Sequence, residues 1–174
     1  MNEKQNLLNL QRRLANPLSE GHSYTRGASS SMDTSRNAQK AIEKFEQAKT
    51  LAKEVGDLGS QWNATFQLGV CFSSLGEAEK AMHLYEKCLE ISKEKAYRKS
   101  NARFMVDEAI VYHYMGGIWI EMGEYEKGLK FLQDSMMISK RSGDVNTSDP
   151  ALLGVCCRYT RIFSLPVKLS VCLL

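Results

Sequence analysis

Residues 65–88 read TFQLGVCFSSLGEAEKAMHLYEKC, and 47 positions later residues 112–135 read YHYMGGIWIEMGEYEKGLKFLQDS. Thr65-x2-Leu68-Gly69-x2-Phe72 aligns with Tyr112-x2-Met115-Gly116-x2-Trp119. Gly76 then aligns with Gly123, and Ala81-x3-Tyr85-x2-Cys88 with Gly128-x3-Leu132-x2-Ser135. Self-similarity at a fixed spacing marks a chain built from stacked units. Forty residues before Ala81 half of the pattern recurs as Ala41-x3-Phe45-x2-Ala48. The three units end alike, at Leu51-Ala52-Lys53, Ile91-Ser92-Lys93 and Ile138-Ser139-Lys140.

The apolar spacing within a unit predicts two helices around a glycine turn. In the middle unit a first helix, A, is expected over about Ser60 to Ser74, with the chain turning at Leu75-Gly76-Glu77. A second, B, carries Ala81, Leu84, Tyr85, Cys88 and Ile91 along one stripe. A glycine inside a helix costs about 1 kcal/mol relative to alanine, so Gly69 and Ala81 are expected where the two helices cross closely. Phe72 and Tyr85 then fill the space between layers. Gly56 and Gly143 suit the left-handed position after a helix end, and Asp57 suits the N-cap of the next helix.

These residues resemble the tetratricopeptide repeat family: a large residue, then Leu-Gly, then an aromatic, then a small residue before a large one. Two full units and one half-unit match, over roughly residues 36 to 143. The resemblance implies an all-α, right-handed α-solenoid of antiparallel helix pairs that binds other proteins on the concave face of its A helices. The groove positions it implies are Asn63, Phe66, Val70 and Ser73 in the middle unit and His113, Gly117 and Ile120 in the last. They suit an extended peptide or a partner helix. The competing role for Phe66, Val70 and Ile120 is packing between helices. A carboxylate clamp of the chaperone-binding subgroup is not expected, because Phe66 and Val70 occupy two of its places and Asn63 alone resembles a clamp residue. Lys53, Lys93 and Lys140 stand where the family often has proline, so the B helices are expected to run on for another turn. The 40-residue spacing is similar to that of longer repeats in cell-polarity, synaptic and axonemal scaffolds.

The ends depart from the pattern. Leu7, Leu10 and Leu14 recur at helical spacing and Pro17 is expected to stop the helix. The polar stretch from His22 to Met32 reads as a flexible loop, leaving the first unit without an A helix. Downstream, Leu153-Gly154-Val155-Cys156 repeats Leu68-Gly69-Val70-Cys71 and starts a fourth A helix. Its B helix is replaced by alternating Phe163, Leu165, Val167, Leu169, Val171 and Leu173, a strand period. The expected organisation is therefore residues 1–33 as a short helix and serine-rich segment, 34–148 as the repeat domain, and 149–174 as a partial helix and an apolar tail. Such a tail would fit a truncated isoform of a longer scaffold, with impaired or competing binding, and would promote self-association.

Composition narrows the alternatives. The 174 residues are 43% hydrophobic and 25% charged, with a net charge of +3. That is a globular balance, too weakly basic to imply nucleic-acid binding. The basic run from Lys93 to Arg103 reads as a solvated helix end, and spacings of 40 and 47 do not fit the helical repeats that read RNA. No apolar run reaches the roughly 18 residues needed to span a bilayer, and no signal sequence is expected. The five cysteines show no C-x-x-C spacing and His22, His83 and His113 no zinc pattern, so reduced thiols in the cytoplasm are expected and no metal. The N-x-[ST] triplets at Asn63 and Asn146 read as chance, His113 as a satisfied polar residue and Trp119 as core. Catalytic motifs are absent from the sequence, so neither catalytic residue nor cofactor is assigned. The partner is expected to be a protein, neither nucleic acid nor membrane, with cytoskeletal or axonemal association one option.

Overall fold

The structure is a computed structural model and describes residues 3–26, 31–101 and 104–142. Helix makes up 92% of them, with no strand among the described residues. Seven helices follow in order: α1 (Glu3–Arg26), α2 (Ser31–Val55), α3 (Leu58–Ser74), α4 (Ala78–Lys93), α5 (Lys95–Ser100), α6 (Phe104–Glu121) and α7 (Tyr125–Ser142). The chain divides into two compact units, Met1–Phe104 and Met105–Leu174, a division inside the segment 34–148 that the sequence treats as one domain. In the first unit α1, α2, α3 and α4 pack in succession, each on the next. Helices α6 and α7 belong to the second unit.

Three glycines set the turns. Gly56, Gly76 and Gly123 take φ of 73°, 76° and 84°, a region that L side chains rarely adopt. At each, the next residue's N–H reaches back to a carbonyl five residues earlier: Asp57 to Ala52, Glu77 to Phe72 and Glu124 to Trp119, all at 2.9 Å. The glycine N–H bonds three residues back, to Lys53, Ser73 and Ile120. These two hydrogen bonds satisfy carbonyls that a helix end leaves open. Asp57 caps α3 as expected, accepting from the Ser60 N–H at 3.1 Å and the Ser60 hydroxyl at 2.7 Å.

Within each pair the helices cross at a glycine. A Cβ built on Gly69 would lie 2.5 Å from the Tyr85 ring, and one on Gly116 would lie 2.9 Å from Leu132 Cγ and 3.0 Å from the Gly128 carbonyl oxygen. Ala81, Tyr85 and Leu132 are fully buried or nearly so. Next to the crossing a B-helix side chain donates across to the A helix. Cys88 Sγ reaches the Trp62 carbonyl at 3.8 Å, and Ser135 Oγ, 47 residues on, reaches the Ala109 carbonyl at 2.7 Å.

The first unit has the A helix that the sequence seemed to lack. Helix α1 passes through Pro17 and through His22 to Arg26, so neither the expected stop nor the expected loop over those residues is found. A Cβ on Gly21 would lie 2.6 Å from the Phe45 ring, which gives Gly21 the place of Gly69 and Gly116. Three residues after each glycine stands an aromatic: Tyr24, Phe72 and Trp119. Over each ring lies the lysine that precedes the small residue of helix B, with Lys40, Lys80 and Lys127 at 5.5, 5.2 and 4.8 Å from the ring centres. From Gly21 to Ala41 is 20 residues, against 12 from Gly69 to Ala81 and from Gly116 to Gly128, so a fixed spacing looks for the helix eight residues too late. Proline in a helix interior costs about 3 kcal/mol. Leu14 and Leu18 on either side of Pro17 offset this by packing with Ala48 and Ala52 of α2 and Ala64 of α3.

Helix α2 runs two residues past Lys53 and α7 two past Lys140. Helix α4, against expectation, stops at Lys93, where Glu94 is extended (φ −65°, ψ 132°). The basic run that follows forms α5, which is anchored rather than simply solvated. Tyr97 is 1% exposed, Arg98 Nε donates to the Ser92 carbonyl at 2.9 Å, and Asn101 Nδ2 donates to the Tyr97 hydroxyl at 2.7 Å. The Arg98 guanidinium also lies 4.9 Å from the Phe104 ring centre. Trp119, expected in the core, is half-buried under Lys127. Gly143, the fourth helix, the alternating tail and Cys156, Cys157 and Cys172 lie outside the described residues.

Candidate functional site

The seven expected groove residues fall on both units, four on α3 and three on α6. On α3 they separate by depth. Phe66 is 8% exposed, stacks on Trp62 with ring centres 5.2 Å apart and planes 6° apart, and leans on Tyr85 at 5.7 Å. It is part of the aromatic core of its own helix pair, so the packing role is the one seen. Asn63, Val70 and Ser73 are half-buried, and Gln67, which the sequence reading did not single out, lies in the same stripe and is equally half-buried. The other flank of α3 is buried: Trp62, Ala64, Thr65, Leu68, Gly69 and Cys71.

On α6, Ile120 is 5% exposed and packs with Leu132, again a core residue. His113 and Gly117 are half-buried, and a Cβ on Gly117 would meet nothing within 4 Å. The His113 ring stands edge-on to Tyr114 at 5.8 Å, and Tyr114 is itself exposed. Two further apolar side chains at the α6–α7 turn, Met122 and Tyr125, are exposed.

The electrostatics of the two helices differ. Helix α3 carries no Asp, Glu, Lys or Arg in 17 residues. Helix α6 places Glu108 near Tyr112, whose phenol is held above its ordinary value first by burial and then by Asp134 and Glu108. Burial pushes the Cys71 thiol up to about 11, which removes it as a nucleophile at neutral pH. Among the described residues no three His, Cys, Asp or Glu side chains gather where they could hold a metal ion. No helix among them is long and apolar enough to cross a membrane.

The first pair breaks one rule of the other two. Glu20 and Lys44 stand where Leu68 and Leu84 stand in the second pair, and they form an ion pair of 2.7 Å. The Glu20 carboxylate, hydrogen-bonded to Lys44, raises the lysine above its usual value. With Arg13, Asn16 and Gln47 they line a shallow polar cleft of about 280 Å³ between α1 and α2.

Residues 64–95, most of α3 and all of α4, match the tetratricopeptide repeat family. Among solved structures, the tetratricopeptide repeat domain of Arabidopsis FLU superposes with a TM-score of 0.61 at 21% sequence identity, over 76% of this chain and 98% of that one. No curated protein matches the sequence. The tetratricopeptide repeat resemblance is thus borne out over residues 64–95, and the all-α, helix-pair solenoid fold that it implies holds as well.

Proposed function

We propose that this chain, a tetratricopeptide repeat protein by fold, is a non-catalytic interaction scaffold that holds a partner protein on the open faces of its A helices. The half-buried stripe of Asn63, Gln67, Val70 and Ser73 on α3 supports the reading most directly. It mixes amide, hydroxyl and apolar groups, and it lies on a helix whose other flank is fixed by the core. On α6 the corresponding contacts are His113 and Gly117 with Tyr114. Phe66 and Ile120 support these faces from beneath. The buried thiols of Cys71 and Cys88 suit a reducing compartment such as the cytoplasm.

A photo-crosslinking amino acid tests the reading residue by residue. Placed at Val70 in the full chain, it should form adducts with partner proteins in cells. Placed at Lys87, on the charged outer face of α4, it should form few. Equal adducts at both positions, or adducts at Lys87 alone, would remove the A-helix face from binding.

A further inference from the structure

Residues 93–103 hold all of the chain's excess positive charge. Lys93, Lys95, Arg98, Lys99 and Arg103 against Glu94 give them a net charge of +4, against +3 for the whole chain. The rest of the chain is therefore slightly acidic. The stretch is also surplus to the repeat. From Ala41 to Ala81 is 40 residues, and from Ala81 to Gly128 is 47. Helices α2 and α3 are joined by Gly56 and Asp57 alone, whereas between α4 and α6 the chain inserts α5.

A solvated helix end needs no anchor, and α5 has one. Tyr97, 1% exposed, seats it against α3 and α4. Asn101 holds the Tyr97 hydroxyl, and Arg98 is held between the Ser92 carbonyl and the Phe104 ring. Around this anchor Lys93, Arg98 and Lys99 are exposed. Lys44, Lys49 and Lys80 of the same unit each pair with a glutamate. Lys93 and Lys99 pair with no carboxylate among the described residues. Like charges gathered without a counter-charge repel one another. An anchored element that displays them loses little freedom when a counter-charge binds.

Carboxylates of a partner protein are the counter-charge that fits. Nucleic acid is bound along a track of many cations, and here the exposed Glu90 and Glu94 stand among few. A helix that lies on a membrane inserts apolar side chains beside its cations, and here Ile91 and Tyr97 are buried.

We infer that α5, with Lys93 and Lys99, is a docking site for an acidic segment of a partner protein, held by exposed ion pairs. It adds a second surface to the scaffold, off the faces of the A helices, and does not rest on them.

Fluorescence anisotropy on the full chain tests it. The probe is a fluorescein-labelled peptide of alternating glutamate and serine, with its glutamine–serine counterpart as control. The acidic peptide should bind and the control should not. Its affinity should fall about five-fold or more between about 50 and 300 mM NaCl. Lys93→Glu/Lys99→Glu should weaken it by about ten-fold at unchanged melting temperature. Lys53→Glu/Lys87→Glu, the same charge change at two other exposed lysines of the unit, should bind as wild type does. If the first variant melts lower, Lys93→Gln/Lys99→Gln carries the comparison. No binding of the acidic peptide would overturn the inference. Equal loss in both glutamate variants would overturn it too, by reducing the effect to net charge. So would tighter binding, through the same lysines, of a single-stranded oligodeoxynucleotide or of vesicles of phosphatidylserine and phosphatidylcholine in equal parts.

Discussion

Gly116 and Gly117 are identical neighbours in opposite surroundings. A methyl group on Gly116 would press on Leu132 and on the Gly128 carbonyl, whereas on Gly117 it meets nothing within 4 Å. Gly116→Ala should therefore lower stability by about 1–3 kcal/mol through overpacking. Gly117→Ala should raise it by up to ~1 kcal/mol, through helix propensity alone. Urea unfolding of the two variants checks both signs. Phe66→Ala should remove about 3–5 kcal/mol, since it empties the stack between Trp62 and Tyr85. Cys71 gives a pH test. Its thiol is raised from 9.0 to about 11 by burial, so its stabilising contribution is complete below pH 9 and is lost as pH rises through about 11. Peptide mapping after thiol alkylation at pH 8 should find Cys71 unmodified in the folded chain and modified once urea unfolds it. At this scale the sequence revealed Gly69, Ala81 and Tyr85, because a small residue facing a large one recurs in register. It did not separate Phe66 from Val70. Both lie on the side of α3 towards the open stripe, and depth on a helix depends on which neighbour leans over it.

Helix ends were the most legible elements. Asp57 and the glycines at 56 and 76 announce their roles by residue type, because only a short acceptor caps an N-terminus well and only glycine enters φ near +75° without strain. Asp57→Ala should cost about 1 kcal/mol. Gly76→Ala should cost about 1–2 kcal/mol, measurable as a lower urea midpoint at unchanged slope. Helix α1 was not legible, and for a definite reason. The link from its glycine to the small residue of α2 is eight residues longer than in the other pairs, and the register position holding Leu68 in α3 holds Glu20 in α1. The apolar signature was thus both displaced and replaced by an ion pair with Lys44. Helix α5 was hidden by its composition: a run of lysine and arginine reads as solvated, yet one buried tyrosine fixes it.

On the scale of the molecule, one device is used three times. A glycine in helix A meets a large side chain of helix B, and a lysine from the start of helix B lies over the aromatic three residues beyond that glycine. The pairs Gly21 with Phe45, Gly69 with Tyr85 and Gly116 with Leu132 carry it. This repetition gives the chain its fold class, and the half-buried stripe it leaves on α3 is free of charge. Whether α1 belongs to the device is the point on which the account departs furthest from the bare sequence. Hydrogen–deuterium exchange of the full chain, followed by mass spectrometry, tests it most directly. The account predicts that peptides covering residues 12–25 exchange slowly, together with those of α3 and α4, and that Gly21→Val, which drives a branched side chain into Phe45, releases that protection. Exchange over residues 12–25 as fast as in an unstructured peptide, with α3 and α4 still protected, would contradict it.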